Sequence, residues 1–227
     1  HRAGRADRRD AGGGEVAEES AARLVGGMDT ALFRGLLPAI LAGHSPAVAA
    51  AAALSGALNG AFVERADVVR ALLVALAAGE HVCLLGDPGP GKSAITNALT
   101  RAIGGAQFSV LMTKFSVPEE VFGPISLVGL EADQYRRVTA GYLPEAQVAF
   151  LDEVFKANSA ILNSLLTIVN ERLFDNGGTR TRVPLEILVG ASNEMPADES
   201  LGAMWDRFML RLWVNPIRSR DALRSLL

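Results

Sequence analysis

From about residue 64 onward the chain alternates between two hydrophobic periods. Val68, Val69, Leu72, Leu73 and Leu76 recur at the three- and four-residue spacing of one helix face, and Gly79 follows as a stop. An unbroken apolar run comes next, His81-Val82-Cys83-Leu84-Leu85, then a Gly/Pro-rich turn, then Ile95, Leu99 and Ile103 at helical spacing. Three more short runs, Phe108–Met112, Val148–Leu151 and Ile187–Ala191, lack polar alternation, as strands buried on both faces of a parallel sheet do. Between the last two, Ile161, Leu162, Leu165, Leu166 and Val169 mark a further helix. Strands alternating with helices predict a three-layer α/β domain around a parallel sheet.

Upstream the pattern weakens. Residues 1–27 mix Arg, Asp, Glu, Ala and Gly around Gly12-Gly13-Gly14, too little apolar surface to offset the entropy of ordering, so a flexible tail is expected. Residues 28–55 read as an N-terminal helical segment. A short helix from Asp29 to Ala42 is broken near Pro38, and Ser45-Pro46 reads as N-cap and first position of an Ala-rich helix to about Leu58. The α/β core is expected over 56–216, with 217–227 beyond it.

Composition narrows the function classes. With 227 residues, 49% hydrophobic and 21% charged, the chain is neither disordered throughout nor collagen-like. A net charge of −3 gives no global basic surface, and Asp and Glu interrupt the arginines of the tail, so nucleic acid is not an expected partner. The longest apolar stretch, Ala47 to Phe62, is mostly alanine and is broken by Ser55, Gly56, Asn59 and Gly60, so no membrane insertion is expected. No apolar leader follows the basic start, so no signal peptide is expected either. The single cysteine, Cys83, excludes a disulfide framework and points to a reducing, cytoplasmic setting. Cys83, Trp205 and Trp213 read as packing residues, His81 as a strand start, and Arg136-Arg137 as solvated.

The chemistry is carried by two segments. Gly86-Asp87-Pro88-Gly89-Pro90-Gly91-Lys92-Ser93 matches the P-loop pattern between a predicted strand and helix. Its glycines let backbone N–H groups wrap a triphosphate at a helix N-terminus. Lys92 is the cation for the β- and γ-phosphates of ATP, and Ser93 offers a hydroxyl to Mg²⁺. The second segment, Val148-Ala149-Phe150-Leu151-Asp152-Glu153, is an apolar strand ending in two carboxylates. Beside a P-loop, Asp152 suits metal binding and Glu153 suits polarising the attacking water. The Asn-Gly-Gly turn at Asn176 to Gly178, flanked by Leu173-Phe174 and Arg182-Val183, predicts a β-hairpin.

Together these residues make the chain resemble the MoxR family of AAA+ ATPases, most closely its RavA-like (regulatory ATPase variant) branch. The shared text includes Phe62-Val63-Glu64-Arg65, Pro118-Glu119-Glu120-Val121-Phe122-Gly123-Pro124, Gly141-Tyr142-Leu143-Pro144-Glu145-Ala146, Asp152-Glu153-Val154-Phe155-Lys156-Ala157-Asn158, Asn170-Glu171-Arg172 and Asp206-Arg207-Phe208. It spans roughly Leu54 to Pro216. The resemblance implies that Asn193 is the sensor-1 amide and that Arg207 is an arginine finger for a neighbouring subunit, with Arg211 as the fallback. It also implies that Phe62 and Val63 line the adenine pocket. It further implies a hairpin inserted in helix 2 over Ser126–Glu145, a homo-oligomeric ring (a hexamer), chaperone-like remodelling or maturation of a partner, and a von Willebrand factor A domain protein as that partner.

The chain departs from the family pattern at Asp87, where Pro is usual, and at Pro90, where Thr is usual. The extra negative charge of Asp87 lowers the expected nucleotide affinity. The family's helical lid with its sensor-2 arginine falls past Pro216, so the lid is expected to be missing, with Asp221 to Leu227 as the start of its first helix. Two further readings stay open. One is a nucleotide-dependent assembly switch with little turnover. The other is a P-loop small-molecule kinase, disfavoured because Glu153 beside Asp152 is the hydrolase arrangement.

Overall fold

A computed structural model describes residues 46–219 except 88, 90 and 197–200. The expected tail, the Asp29–Ala42 helix, Ser45, and the lid start at Asp221 to Leu227 lie outside the described residues, as do Pro88 and Pro90 of the P-loop.

Helix α1 (Pro46–Ala61) carries Pro at its first position and runs three residues past Leu58. It is continuous through Ser55 and Gly56. Helix α2 (Ala66–Ala78) ends on Gly79, whose φ of 70° closes the helix through N–H bonds to the carbonyls of Ala75 and Leu76. Strand β1 (His81–Leu85) is buried along its whole length and leads through the P-loop into α3 (Lys92–Ile103). Strand β2 (Gln107–Leu111), α4 (Pro118–Phe122), α5 (Leu127–Glu131) and β3 (Val148–Asp152) follow. Helix α6 (Ser159–Glu171) starts on an Asn158 side chain that accepts the Ile161 N–H, and then comes the hairpin of β4 (Leu173–Asn176) and β5 (Thr179–Arg182). Strand β6 (Ile187–Ser192), α7 (Gly202–Trp205) and β7 (Phe208–Trp213) complete the domain.

Five strands form one parallel sheet in the order β2-β3-β6-β1-β7. Its two faces bury separate cores. One packs Leu72, Ile95 and Leu99 of α2 and α3 against Val82, Leu84, Phe150 and Val189. The other packs Phe122, Ile161, Leu165 and Met204 against Cys83, Leu151, Leu188 and Phe208. Helices therefore cover both faces, and the three-layer α/β architecture read from the pattern is the one observed. Because all the strands run the same way, the C-terminal ends of β1, β3 and β6 open onto one edge, the place where such sheets bind ligands.

The inserted segment pairs its two arms antiparallel over a short stretch. Over residues 126–145 it holds the single turn of α5, capped by Ser126 Oγ accepting the Gly129 N–H, and a 3-10 turn at Leu143–Glu145. One antiparallel bridge, Ile125 to Arg137, stands where a ladder was expected. Beside that bridge the Ser126 N–H donates to the Arg136 carbonyl at 2.7 Å and the Val138 N–H to the Pro124 carbonyl at 2.8 Å, and further bonds tie the segment to the β4–β5 hairpin. The Arg137 N–H donates to Asn176 Oδ1 at 2.6 Å, and Asn176 Nδ2 donates back to the Arg137 carbonyl at 3.1 Å. The Arg137 guanidinium donates to Glu119 Oε1 at 2.9 Å and to the Gly123 carbonyl at 2.8 Å, so this arginine is an internal tie and not a solvated residue. The contact requires glycine at 177, where φ is 62° and a Cβ would lie 2.3 Å from the Tyr135 carbonyl oxygen.

His81 does begin a strand, but it is also a buried polar junction. Its Nδ1 accepts the Leu188 N–H at 3.0 Å, and Arg172 Nη1 lies 2.7 Å from its Nε2. Arg172 also donates to the carbonyls of Val169 and Gly79, pinning the base of the hairpin to the start of β1. Burial first, and then the Arg172 charge, push the His81 pKa down from 6.5 to about 4. The unfolded chain therefore binds a proton below pH 6.5 that the folded chain refuses until about pH 4, and stability falls as pH falls through that window. The loss attributable to this group is roughly 3 kcal/mol across the window. Urea unfolding at pH 7 and pH 4.5 should show it, and His81→Gln, which cannot take the proton, should flatten that part of the slope.

Candidate functional site

The P-loop leaves β1 between the ends of two other strands. Gly86 N–H donates to the Ser192 carbonyl of β6 at 3.1 Å, and Val214 N–H, just past β7, donates to the Leu85 carbonyl at 2.6 Å. Gly86 has a φ of 134°, and a Cβ there would stand 2.5 Å from the Val214 carbonyl oxygen. No side chain other than hydrogen fits. The loop ends on Gly91 as the N-cap of α3, with no side-chain cap for the first N–H groups of that helix. An uncapped N-terminus of a twelve-residue helix is an anion site by construction.

Lys92 is the centre of the site. It is 6% exposed, and its Nζ donates to the carbonyls of Gly86 at 2.5 Å and Asp87 at 3.4 Å and to Asn193 Oδ1 at 3.3 Å. Burial lowers its pKa, opposed by the nearby carboxylates of Asp152 and Glu153. Across the gap, Asn193 Nδ2 donates to Glu153 Oε1 at 2.5 Å. The amide thus bridges the P-loop lysine and the second carboxylate of β3, 101 and 40 residues away in sequence.

The register explains this meeting. Leu85 lies opposite Ser192 in the β1–β6 pair, and Leu151 lies opposite Gly190 in the β3–β6 pair. Residues one step past each strand end therefore converge. Glu153 leaves β3 in a left-handed conformation (φ 52°), which turns the chain sharply and buries its side chain to 8% exposure. Asp152 Oδ1 accepts the Glu153 N–H at 3.0 Å. The half-buried Asp152 carboxylate and the exposed Ser93 hydroxyl are hard oxygen donors suited to Mg²⁺.

The site thus brings together Gly86, Asp87, Gly91, Lys92, Asp152, Glu153 and Asn193, with Ser93 in the first turn of α3. Neither Phe62 nor Val63 lines the cavity nearest to them. Phe62 packs against the core between the sheet and α2–α3. A cavity of about 230 Å³ lies instead between Glu64, Arg65 and Val68 on one side and Trp213, Val214 and Arg218 on the other. Glu64 closes one wall by accepting the N–H groups of Arg218 and Ser219 at 2.8 and 2.9 Å.

The two candidate finger arginines are separated by their surroundings. Arg211 is tied into its own chain: its guanidinium lies 4.5 Å over the Trp205 ring, bonds the carbonyls of Trp205 and Phe208, and pairs with Asp206 at 3.7 Å. Arg207 is exposed, and its side chain has no partner among the described residues. It precedes Phe208, which lies opposite His81, so it sits at the far end of β1 from the P-loop. That is about one strand length away, too far to serve its own site.

One contact in the site was not anticipated from sequence. Lys156 Nζ pairs with Glu153 Oε2 at 3.3 Å. Its only signal was a spacing of three residues, which any surface pair can have.

Comparisons with known proteins fit this geometry. Residues 50–227 match the family model described as the MoxR domain in the MoxR-vWA-beta-propeller ternary systems. Two uncharacterized proteins of Methanocaldococcus jannaschii are each 46% identical over 171 residues, 75% of this chain, and the chain spans less than half of their lengths (46% and 45%). Protein MoxR of Paracoccus denitrificans is 28% identical over 70% of this chain and 48% of its own. The chaperone MoxR1 of Mycobacterium tuberculosis is 28% identical over 64% of this chain and 39% of its own. Among solved structures, a Cytophaga hutchinsonii protein assigned as an ATPase matches with a TM-score of 0.59 at 17% identity, over 78% of this chain and 52% of that one. A RuvB variant from Thermotoga maritima matches at 0.50 and 19%, over 73% and 50%. Those two likenesses concern the fold, and the family rests on the model match across most of the chain: this protein belongs to the MoxR family of AAA+ ATPases.

Proposed function

We propose that this domain binds Mg·ATP on the loop from Gly86 to Ser93 and hydrolyses it between subunits of a ring, with the output spent on remodelling a protein partner. The observation that carries this reading is the bridge from Lys92 through Asn193 to Glu153. Lys92 is buried against two carbonyls and an amide oxygen, all neutral acceptors, so a triphosphate that offers full negative charge is a better partner for it. Glu153 is the general base, and Asn193 fixes the direction of its carboxylate toward the Lys92 side of the site. Bound Mg²⁺, held through Ser93 and Asp152, would neutralise charge on the phosphates. Asp87 adds negative charge to the loop and works against tight binding.

Assembly follows from the two ends of the sheet. The domain offers a nucleotide site at the C-terminal edge and, at the other, an arginine with no partner among the described residues, so a head-to-tail contact between subunits would complete each site with the next chain's Arg207. A closed ring of such contacts, a hexamer on the family resemblance, is the assembly we favour. The cavity between Arg65 and Trp213 is our candidate for the nucleoside end, in place of Phe62 and Val63. A von Willebrand factor A domain protein is the partner class we propose, supported by the description of the matching family model. The printed name of the Mycobacterium tuberculosis relative supports a chaperone-like role. A RavA-like branch and a cytoplasmic setting complete the proposal; among the described residues no helix is long and apolar enough to cross a membrane.

Lys92→Ala should abolish binding of a fluorescent ATP analogue, because it removes the one side-chain cation inside the loop. Glu153→Gln should bind ATP like the parent and lose at least about 10²-fold in turnover. Binding by the first variant or parent-like turnover by the second would sink the assignment. Arg207→Ala should keep its melting temperature and its ATP affinity but lose turnover, and mixing it with Lys92→Ala should restore part of the activity as protein concentration rises. Arg211→Ala should instead lower stability by about 1–2 kcal/mol, since it breaks the Trp205 stack and two carbonyl bonds.

A further inference from the structure

Beyond β7 the chain leaves the sheet. The Val214 N–H is still bonded to the Leu85 carbonyl, but residues 215–219 form neither helix nor strand. Two adjacent N–H groups of this exit segment end on one carboxylate, 154 and 155 residues upstream. Arg218 N–H donates to Glu64 Oε2 at 2.8 Å, and Ser219 N–H donates to Glu64 Oε1 at 2.9 Å. Both bonds favour the ionised acid and hold the Glu64 carboxyl below its usual range. Glu64 stands in the linker between α1 and α2 with a φ of 55°, a left-handed conformation that a non-glycine residue keeps when its surroundings hold it there. Arg65 supplies part of that hold: its Nη1 donates to the Glu64 carbonyl at 2.8 Å, and its own side chain is buried.

The bridge spans the cavity of about 230 Å³. Glu64, Arg65 and Val68 make one wall and Trp213, Val214 and Arg218 the other, so the two Glu64 bonds tie wall to wall. Val214 is shared with the P-loop, since its carbonyl oxygen is the atom that forces glycine at 86. The cavity therefore begins where the phosphate-binding loop begins, and a nucleotide with its phosphates on that loop has its nucleoside within reach. Trp213 is 56% exposed and offers an apolar surface on which a flat base can stack. An inorganic triphosphate has nothing to place there.

We propose that Glu64 is a positioning residue for the nucleoside: by bridging the linker to the exit segment it fixes the width of the cavity, and so sets how much more tightly a nucleoside triphosphate binds than a bare triphosphate. The coupling runs both ways. A nucleoside between the walls holds the exit segment against Glu64, whereas a ligand confined to the P-loop does not. This rests on the nucleotide-binding reading above and adds to it the residue that selects for a nucleoside.

Two probes separate the cavity from the loop: a non-hydrolysable ATP analogue and inorganic tripolyphosphate, each with Mg²⁺ and each competed against a fluorescent ATP analogue. The parent should prefer the ATP analogue. Glu64→Ala should bind it about three- to tenfold more weakly, with tripolyphosphate held within about twofold of the parent. Glu64→Gln keeps the shape and one acceptor oxygen but turns an amide N–H toward the second donor. It should show the same selective loss at a smaller factor, and it carries the test if the alanine variant does not fold. The exit segment gives a second readout, because trypsin cuts after Arg218. Mass spectrometry of the products should show that the ATP analogue slows cleavage at Arg218 and tripolyphosphate does not, and that unliganded Glu64→Gln is cut there faster than the parent. Equal weakening of both probes in Glu64→Gln, unchanged affinity for both, or equal protection of Arg218 by both overturns the proposal while leaving the P-loop site standing. Equal affinity of the parent for the two probes overturns it as well. If the parent binds neither probe, the nucleotide-binding reading falls and this proposal falls with it.

Discussion

The buried ammonium of Lys92 organises the site of this domain. Lys92 is sequestered at the start of a helix, and burial works against its charge while the Asp152 and Glu153 carboxylates favour it. An ammonium in that position must be surrounded by acceptors, and the fold supplies them from the P-loop carbonyls and the residue just past β6, while the carboxylates that end β3 lie near enough to favour its charge. Each supplier is the C-terminal end of a central strand. The order β3-β6-β1 puts those ends side by side, and two hydrophobic layers hold the register that keeps them there.

The same parallelism gives the domain two unlike edges. The C-terminal edge collects the glycines, the lysine, both carboxylates and the asparagine. The opposite edge carries His81, Arg172 and the hairpin base, and at its margin Arg207 stands without a partner among the described residues. Neighbouring Arg211 is fully engaged by Trp205, Phe208 and Asp206. Arg211 is tied into its own subunit, and Arg207 is exposed, which is why it is the arginine we propose as the finger. The hairpin and the inserted segment are locked to each other by Asn176 and Arg137, so they present one composite surface.

Much of this was legible in the sequence because it is local. The P-loop, the apolar strand ending in Asp152-Glu153, the helix stop at Gly79 and the Gly177-Gly178 turn are each fixed by a few adjacent residues. What escaped notice depended on distant partners. Arg137 reads as solvated until Glu119 and Asn176 are brought to it, and His81 gives no hint of Arg172 from 91 residues away. Strand β7 was missed for a different reason. It lies at the sheet edge, where Met209 and Trp213 are exposed and Phe208, Leu210 and Leu212 are buried. Apolar residues on both faces hid the alternation. The inserted segment was read as a hairpin by resemblance; its arms pair over one antiparallel bridge, and the Ser126 cap adds a one-turn helix between them.

The central claim is that Asn193 connects the nucleotide-holding cation to the base, so that holding and hydrolysing are separable. Asn193→Ala tests it most directly, with ATP affinity and turnover measured on the same preparation. The account predicts affinity within about threefold of the parent and turnover lower by about 10²-fold, the usual cost of losing one placed hydrogen-bond donor in an active site. Turnover like the parent's, or affinity and turnover lost together, would contradict it.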